Sequence, residues 1–556
     1  MDEIKNSLKK SGFKGELDDS NETKKFYSHD ASMFEITPQL IAYPKDSQDV
    51  QILVTLVAKQ KKSDKELSLT ARSAGTDMSG GAINDSIIVD FKKHFNEIQK
   101  IQPTQIQVQP GVYYRDFDKV SREHGTLMPT YPASRDLCTV GGMVNNNAGG
   151  EKSIEFGKTD NFVKELNCIF ADGNEYTVKP ITKTELNKKI AQNDYEGKIY
   201  KKIFDLCEKY YDEIKAAKPK VTKDSTGYHL WDVWDREAGV FDLTKLIVGG
   251  QGTLVFVTDI TFKVVPARPD DGILVLFMKD INNLGEVINK VLESKPSRFE
   301  SFDDQTLWLS IKFMPSFLKI LGWKKFIHLL FSLIPDGLQL LRGIPKLIMM
   351  VSFKGENEAE IRQKITNLHH ELAKYRARYE INGFEEAPTT ESSEKFWIMR
   401  RYSFQLLRSK VKDKHTAPFI DDFVVPPEHL SEFLPKLRKI IKKYKLFATI
   451  AGHMGDGNFH VIPLMKLDDP KDRAKIMPAM KEVNELVLKY GGSLSGEHND
   501  GLVRGPWLEK QYGKAMVEHF RTVKDIFDPQ HIFNPRKKAN ADWDYSFSHI
   551  RKNFDE

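Results

Sequence analysis

Cysteine is scarce in this chain of 556 residues, and its scarcity excludes several kinds of site. Cys138, Cys168 and Cys207 are widely spaced and odd in number, which argues against a disulfide framework and against an iron–sulfur cluster. We therefore expect a reducing, cytoplasmic compartment. Residues 1–20 contain no apolar stretch, so we also expect no signal peptide.

A strong net charge is missing as well. The chain has 83 Lys and Arg residues against 78 Asp and Glu, a net charge of +5, and this balance gives no reason to expect nucleic-acid binding. Hydrophobic residues make up 40% and charged residues 29%, as in ordinary globular proteins. Because single cores stop growing near roughly 250 to 300 residues, we expect at least two domains.

No uninterrupted apolar run reaches the roughly 20 residues that a membrane-spanning helix needs. The most apolar stretch, residues 313–351, is broken by lysines, by an arginine and by a Pro-Asp-Gly turn. It predicts an apolar helical hairpin at about 313–345, with Trp323 and the lysines at its rim. Such a hairpin suits a membrane interface, the protein's own core or a homodimer contact. These alternatives stay open. Association of the protein with the inner face of a membrane therefore also stays open.

Three glycine-rich turns border strands in the first half of the chain, at 72–81, 139–150 and 249–252. The first lacks the GxGxxG spacing, and it precedes a strand at 86–90 where a Rossmann domain would have a helix. Glycines let backbone N–H groups approach a ligand closely. We therefore predict one elongated cofactor lying across an α+β domain.

The second half contains a histidine-rich pattern. His453 and His460 flank a glycine turn, and Glu497 and His498 follow a predicted strand at 493–495. Two imidazoles and a carboxylate make an open metal site, although a single turn of this kind is more often an ordinary loop. Arg400 lies in an aromatic stretch, where its guanidinium suits a carboxylate ligand; a solvent-exposed arginine is the alternative.

The order of these motifs resembles one family. The carrying segments are Tyr-Ser-His-Asp-Ala-Ser at 27–32, Arg-Ser-Ala-Gly-Thr at 72–76, Pro-Ala-Ser at 132–134, Gly-Gly-Met-Val-Asn-Asn-Asn-Ala-Gly-Gly at 141–150 and Gly-Gln-Gly-Thr-Leu at 250–254. They are similar to the FAD domain of the vanillyl-alcohol oxidase type, in the branch of FAD-linked D-lactate, glycolate and D-2-hydroxyglutarate dehydrogenases. The resemblance covers roughly residues 25–538. It implies an α+β fold with a two-part FAD-binding domain and a ferredoxin-like, antiparallel-sheet substrate (cap) domain.

The expected organisation has four parts. They are an N-terminal segment at 1–34, an FAD-binding domain at 35–265 with a helical insertion at about 180–240, a substrate domain at 266–538, and a C-terminal tail at 539–556. The resemblance implies FAD binding by Arg72, Ser73, Ala74, Gly75, Thr76, Asp77, Met78, Pro132, Ala133, Ser134, Thr139, Gly141, Gly142, Asn146, Ala148, Gly149, Gly252 and Asn458. Ala74 stands where some members carry a flavin-linked histidine, so we expect non-covalent FAD.

The resemblance also supports metal binding by His453, His460 and Glu497, with zinc or a manganese-like divalent ion. It implies that Arg400 pairs with the substrate carboxylate, and we assign the role of base to His498. The expected reaction is oxidation of a D-2-hydroxy acid to the 2-oxo acid, with hydride transfer to flavin N5. Electrons would pass to a separate acceptor such as a quinone, a cytochrome or an electron-transfer flavoprotein.

The substrate class rests on departures from the family. Ile420 and Val461-Ile462 stand where hydroxyglutarate enzymes carry a substrate-binding lysine and asparagine, although Lys412 or Lys414 could replace that lysine. A small acid such as D-lactate is therefore the preferred substrate. The alternatives are a D-2-hydroxyglutarate dehydrogenase, a membrane-surface electron-transfer flavoprotein subunit, and an alcohol oxidase that uses oxygen.

Overall fold

The structure is a computed structural model that describes residues 1–267, 272–304, 307, 323, 343–410 and 414–552, without the side chains of 401–410 and 449. Most of the predicted apolar hairpin at 313–345 lies outside these residues. Among the helices of the described part, none combines the length and the apolar character needed to cross a bilayer. The three cysteines are buried and form no disulfide.

The helices are short in the first half and longer in the second. Those of the described residues span Asp2–Lys10, Asn21–Tyr27, Ser47–Gln60, Tyr114–Glu123, Val140–Asn146, Ser153–Phe156, Lys183–Ile190, Tyr195–Lys209, Tyr211–Ala216, Thr244–Ile247, Leu284–Leu292, Glu358–Ala373, Thr390–Lys410, Leu430–Lys443, Pro470–Arg473, Ile476–Lys489, Gly501–Arg504, Leu508–Phe527 and Trp543–Ser548.

Two sheets build the first half of the chain. The strands of a four-stranded sheet run in the order Glu16–Asp18, Leu40–Tyr43, Ile87–Asp90 and Leu69–Arg72. Those of a five-stranded sheet run in the order Ile98–Gln102, Gln105–Val108, Phe256–Lys263, Val163–Ile169 and Glu175–Val178. The last two strands form a hairpin. The helix Ser47–Gln60 begins after Asp46, because the Asp46 side chain accepts a hydrogen bond from the Asp49 N–H.

The predicted helical insertion contains helices and a small sheet. A three-stranded sheet has the order Ile181–Thr182, Val240–Phe241 and Trp234–Asp235, and the helices Lys183–Ile190, Tyr195–Lys209 and Tyr211–Ala216 lie between its first strand and the other two in the chain. Their buried side chains join the core of the five-stranded sheet. A two-stranded pair, Thr126–Leu127 with Val265–Pro266, completes this half.

An eight-stranded antiparallel sheet forms the second half. Its strands run in the order Ile381–Ala387, Gly272–Met278, Leu347–Phe353, Arg298–Asp303, Phe447–His453, Asn458–Met465 and His415–Thr416, and Phe423–Val424 also pairs with Asn458–Met465. Leu274 and Leu276 lie in one core with the helices Leu284–Leu292 and Glu358–Ala373, whereas Ile273 and Val275 pack toward Phe396 on the other face. The expected ferredoxin-like arrangement has helices on one face only, but Thr390–Lys410 covers the second face, which explains the uniformly apolar strand.

Segments near both chain termini are buried in the cores of the three large sheets. Helix Leu508–Phe527 packs in the core of the five-stranded sheet, and Ile4 and Leu8 pack against the four-stranded sheet. Ile550 lies in the core of the eight-stranded sheet. The limits at 34 and 538 remain predictions, and segments on either side of them bury apolar side chains in these cores.

Candidate active site

Paired strands position the first two histidines of the motif. His453 ends the strand Phe447–His453, and His460 lies on the partner strand directly opposite Ala451. The turn between them requires Gly457, which has φ of +64°, because a Cβ atom there would lie 1.9 Å from the Val425 carbonyl oxygen. The glycines of the motif thus bring two imidazoles to one end of the sheet.

A turn presents Glu497 and His498, and the predicted strand at 493–495 is wrong. Only Ser493 forms a bridge, with Val424. The buried carboxylate of Asp422 accepts hydrogen bonds from the backbone N–H groups of Glu497 at 3.0 Å and His498 at 2.7 Å. These N–H groups therefore bind a carboxylate rather than a neighbouring strand.

Three imidazoles converge on one carboxylate oxygen. The distances from Glu497 Oε1 to the Nε2 atoms of His453, His460 and His498 are 3.3, 3.4 and 3.9 Å. Ligand atoms of Asp422, His460, Glu497 and His498 also lie within 4.8 Å of one another. Since Asp422 already accepts hydrogen bonds from the N–H groups of Glu497 and His498, we regard it as a residue that holds the turn and not as a metal ligand. This donor set of nitrogens and one oxygen fits a divalent transition metal.

A carboxylate lies behind each imidazole. His453 Nδ1 is 2.5 Å from Glu300 Oε1, while His460 Nδ1 and His498 Nδ1 are 3.1 and 2.7 Å from the two oxygens of Asp421. A carboxylate that accepts the Nδ1–H fixes the tautomer and leaves the Nε2 lone pair for a ligand. Glu300 and Asp421 therefore orient the Nε2 atoms toward Glu497.

The charges of the cluster balance one another. Burial works to lower the pKa of His460, but Asp421 and Glu497 outweigh it and raise that pKa to about 10. Burial likewise raises the pKa of Glu497, but Lys223 and His453 hold it well below its usual range. The carboxylates thus stay ionised, and the imidazolium of His460 balances part of their negative charge. A divalent cation bound at Nε2 would take the place of the proton there.

Arg400 lies beside the same cluster. Its guanidinium contacts Glu300 Oε2, on the carboxylate whose other oxygen contacts His453. Burial raises the pKa of Glu300, but Arg400 and His453 outweigh it and lower that pKa. The helix Thr390–Lys410 therefore places the guanidinium of Arg400 beside the carboxylate that contacts His453.

The three glycine turns form one wall. The side-chain amide of Asn146 donates to Asp77 at 2.9 Å, which joins the second turn to the first. Asn145 Oδ1 accepts the N–H of Gly252 at 2.9 Å, which joins the third turn. Sequence-distant glycines are thus brought together as one continuous surface.

This wall fits a flat dinucleotide. Residues 73–78 and Gly142 are half-buried, and a Cβ atom at Gly142 would meet only Thr139 Oγ1 at 3.5 Å and Ser73 Oγ at 3.8 Å. Small residues with accessible backbone N–H groups suit the phosphates and ring of FAD. The residues present therefore fit that cofactor.

Other predicted cofactor residues have structural contacts. Arg72 donates to the backbone carbonyls of Tyr27 at 3.2 Å and His29 at 2.8 Å, so it anchors the first turn. Gly141 packs against Pro110, where a Cβ atom would lie 2.5 Å from the proline Cβ. Ala133 is exposed, between Pro132 and Ser134, which are half-buried, and Ala148 is buried in the core.

Two of the predicted cofactor residues, Gly149 and Asn458, lie beside the histidine cluster. A Cβ atom at Gly149 would be 3.2 Å from Glu497 Oε2, and the Asn458 amide donates to Asp422 Oδ1 at 3.1 Å. Gly149 therefore lies against Glu497 itself, and Asn458 binds the carboxylate that holds the turn of Glu497.

Sequence reasoning missed four charged residues of this site: Glu300, Asp421, Asp422 and Lys223. Asp421 and Asp422 were visible as an acidic pair at the end of an apolar stretch. Nothing in the local pattern connects Glu300 or Lys223 with Glu497, because their contacts depend on how distant segments pack.

We predict that Asp421→Asn lowers zinc affinity by about 10- to 100-fold. The two imidazoles contact different oxygens of Asp421, and asparagine replaces one of these acceptors with an NH2 donor, so the tautomer of His460 or His498 would change. Competition with a chromophoric chelator measures the affinity. The exposed residue Asp468 supplies the control Asp468→Asn, and equal affinities for both variants would contradict the orienting role of Asp421.

Comparison with known proteins follows the same division of the chain. The FAD binding domain profile matches residues 38–179, and the profile of the C-terminal domain of FAD-linked oxidases matches residues 271–538. The chain belongs to the FAD-linked oxidase family. Its relatives have several names, among them D-2-hydroxyglutarate dehydrogenase, glycolate oxidase subunit and D-lactate dehydrogenase.

Curated relatives are similar along most of this chain. It is 27% identical over 536 residues to the D-2-hydroxyglutarate dehydrogenase of Pantoea ananatis and 28% identical over 535 residues to that of Escherichia coli. These matches cover 96% and 95% of this chain, but the chain spans about half (51%) of each relative. The D-lactate dehydrogenase of Archaeoglobus fulgidus is 24% identical over 529 residues, with 92% of this chain and 96% of that protein covered.

Solved structures establish the fold of this FAD-linked oxidase. An alkyldihydroxyacetonephosphate synthase aligns with a TM-score of 0.66 and 16% identity, covering 97% of this chain and 86% of that one. The 4-ethylphenol oxidase of Gulosibacter chungangensis aligns with a TM-score of 0.66 and 13% identity, covering 96% of each chain. The expected α+β fold of the vanillyl-alcohol oxidase type is confirmed.

Proposed function

We propose that this chain binds FAD non-covalently, binds a divalent metal such as zinc or manganese, and oxidises a D-2-hydroxy acid to the 2-oxo acid. The observation that carries the proposal is the convergence of three imidazole Nε2 atoms on Glu497 Oε1. The glycine wall and the family's FAD-binding domain support the cofactor assignment. Electrons leave to a separate acceptor, such as a quinone, a cytochrome or an electron-transfer flavoprotein.

The residues divide the work between binding and proton transfer. Bound FAD supplies a hydride acceptor, and a bound divalent ion supplies a Lewis acid. His453, His460 and Glu497 hold the ion, and Arg400 pairs with the substrate carboxylate. His498 Nε2 takes the proton of the 2-hydroxyl group.

The assignment of His498 as base, rather than as a ligand, rests on its position. Its Nε2 is the farthest of the three from Glu497 Oε1, at 3.9 Å. Its side chain is 20% exposed, against 4% for His453 and 14% for His460. An accessible imidazole with its Nδ1 beside a carboxylate is suited to proton transfer.

The substrate proposed is a small acid such as D-lactate. Ile420 is buried in the core, and Lys414 lies over the Phe447 ring at 5.8 Å. Phe447 begins the strand that His453 ends, so Lys414 is about 20 Å from the metal cluster at the usual rise per residue. Lys412 is outside the described residues. Neither Ile420 nor Lys414 therefore offers a cation to a second carboxylate.

D-2-hydroxyglutarate is the second candidate substrate, because the relatives from Pantoea ananatis and Escherichia coli are named for it. Burying a carboxylate without a partner would cost about 1–3 kcal/mol, so we expect about 10- to 100-fold slower reduction by this acid than by D-lactate. Anaerobic stopped-flow absorbance measures the bleaching of the flavin by each acid.

L-lactate is the control in the same experiment, and we expect it to leave the flavin oxidised. Faster reduction by D-2-hydroxyglutarate than by D-lactate would overturn the preferred substrate. Failure of every D-2-hydroxy acid to bleach the flavin would overturn the proposed reaction.

A further inference from the structure

Lys223 is a buried cation beside the proposed metal ligand Glu497. Its side chain is 0% exposed, and its Nζ atom lies 3.3 Å from Glu497 Oε2 and 3.3 Å from Asp456 Oδ2. The ammonium group also donates to the Gly150 carbonyl at 3.2 Å. Glu497 therefore directs one oxygen to the imidazoles and the other to an ammonium group.

The segment 222–227 fixes this lysine in place. Thr222 Oγ1 donates to the Asp456 carbonyl at 3.0 Å, and the Ser225 N–H donates to the Ser495 carbonyl at 2.9 Å. The Gly227 N–H donates to Asp500 Oδ2 at 2.8 Å. The flavin-binding half of the chain thus holds both sides of the turn that presents Glu497, and the ammonium group has little room to move away.

We propose that Lys223 is a positioning residue that restricts Glu497 to one metal-binding oxygen and so keeps a coordination position open for the substrate. The inference rests on the metal site of the proposed function. A carboxylate binds a metal through two oxygens only when both are free, and here Oε2 faces Lys223. Catalytic metal sites depend on an open position, which a second oxygen of Glu497 would fill.

Two physical effects set the direction of the expected change in affinity. Without Lys223, a positive charge that repels the metal is removed, and Glu497 gains a second binding oxygen. The opposing effect is the loss of an orienting partner, which alone would weaken binding. Because the first two effects act together, we expect Lys223→Met to bind zinc about tenfold more tightly than the wild type.

The coordination itself is the decisive readout. In zinc-loaded crystals of the full chain we expect one Glu497 oxygen at about 2.1 Å from the ion in the wild type and both oxygens near the ion in Lys223→Met. Substrate-driven flavin reduction should then slow by at least about tenfold despite tighter zinc binding. Lys223→Arg keeps a cation beside Oε2 and should restore one-oxygen binding.

Lys158 provides a matched control. Lys158 is also buried, but its ammonium group contacts the Asp224 and Gly496 carbonyls and the Ser225 hydroxyl and not the Glu497 carboxylate. Lys158→Met should therefore leave zinc coordination unchanged and zinc affinity within about threefold of the wild-type value. If removal of Lys223 alone prevents folding, Lys223→Met combined with Asp456→Asn removes one charge of each sign and should give the same two-oxygen coordination.

The outcomes separate this inference from the proposed function. A wild-type chain that binds no zinc would overturn the metal site and the role of Lys223 together. A wild-type chain that binds zinc through both Glu497 oxygens would overturn the role of Lys223 alone. Weaker zinc binding by Lys223→Met with unchanged one-oxygen coordination would also overturn it, because that result indicates only a structural role.

Discussion

Replacing Glu497 with glutamine is expected to abolish tight binding of a divalent metal and to slow flavin reduction by at least about 10³-fold, or about 4 kcal/mol of activation free energy. Glutamine preserves the shape of the side chain but lacks the charge on which three imidazole nitrogens converge. Its amide also leaves Lys223 with Asp456 as its one remaining carboxylate partner of the two that it contacts. Elemental mass spectrometry of gel-filtered protein measures the metal, and anaerobic stopped-flow absorbance measures the reduction.

FAD content is the internal control, because Glu497 is not one of the residues that form the glycine wall. Glu155 offers a matched carboxylate, because it contacts Lys354 rather than the metal cluster. Glu155→Gln should retain metal and reduce flavin within about twofold of the wild-type rate. A Glu497→Gln protein that keeps one equivalent of metal and the wild-type rate would refute the ligand assignment.

The local sequence predicted the elements that place the histidines. The eight residues from His453 to His460 hold the predicted glycine turn, and the apolar segments on either side of it pair as antiparallel strands. The strands Gly272–Met278 and Leu347–Phe353 can be predicted from the sequence in the same way, because each is an apolar run bounded by polar residues.

The charged partners of the histidines could not be predicted in the same way. Glu300 lies 153 residues from His453, and Lys223 lies 274 residues from Glu497. Periodicity reports which face of an element is buried, but not which distant segment covers that face. The order of strands in the eight-stranded sheet, which places Arg298–Asp303 beside Phe447–His453, decides the contact of Glu300.

The turn at 493–498 was mispredicted for a physical reason. Leu494 is buried between serines, which is a strand-like pattern, but the following N–H groups donate to the carboxylate of Asp422. A buried carboxylate competes with a neighbouring strand for backbone donors, and a sequence pattern gives no measure of that competition.

His498→Ala is expected to slow substrate-driven flavin reduction by about 10²- to 10⁴-fold while the protein retains its metal. The imidazole is the proposed acceptor of the hydroxyl proton, and Asp421 holds its Nδ1 at 2.7 Å so that Nε2 faces the metal cluster. Anaerobic stopped-flow absorbance with D-lactate measures the rate, and elemental analysis measures the metal.

The metal content decides between the two roles that His498 can have. A base can be removed without loss of the ion, whereas removal of a ligand lowers metal affinity, so full loss of metal in His498→Ala would reassign this residue as a ligand. His429, which packs against Tyr490 at 5.5 Å, supplies the control His429→Ala, for which we expect wild-type metal content and rate. Flavin bleaching that survives both chelation and His498→Ala would refute the metal and base roles together, because the substrate would then lose its proton without either group.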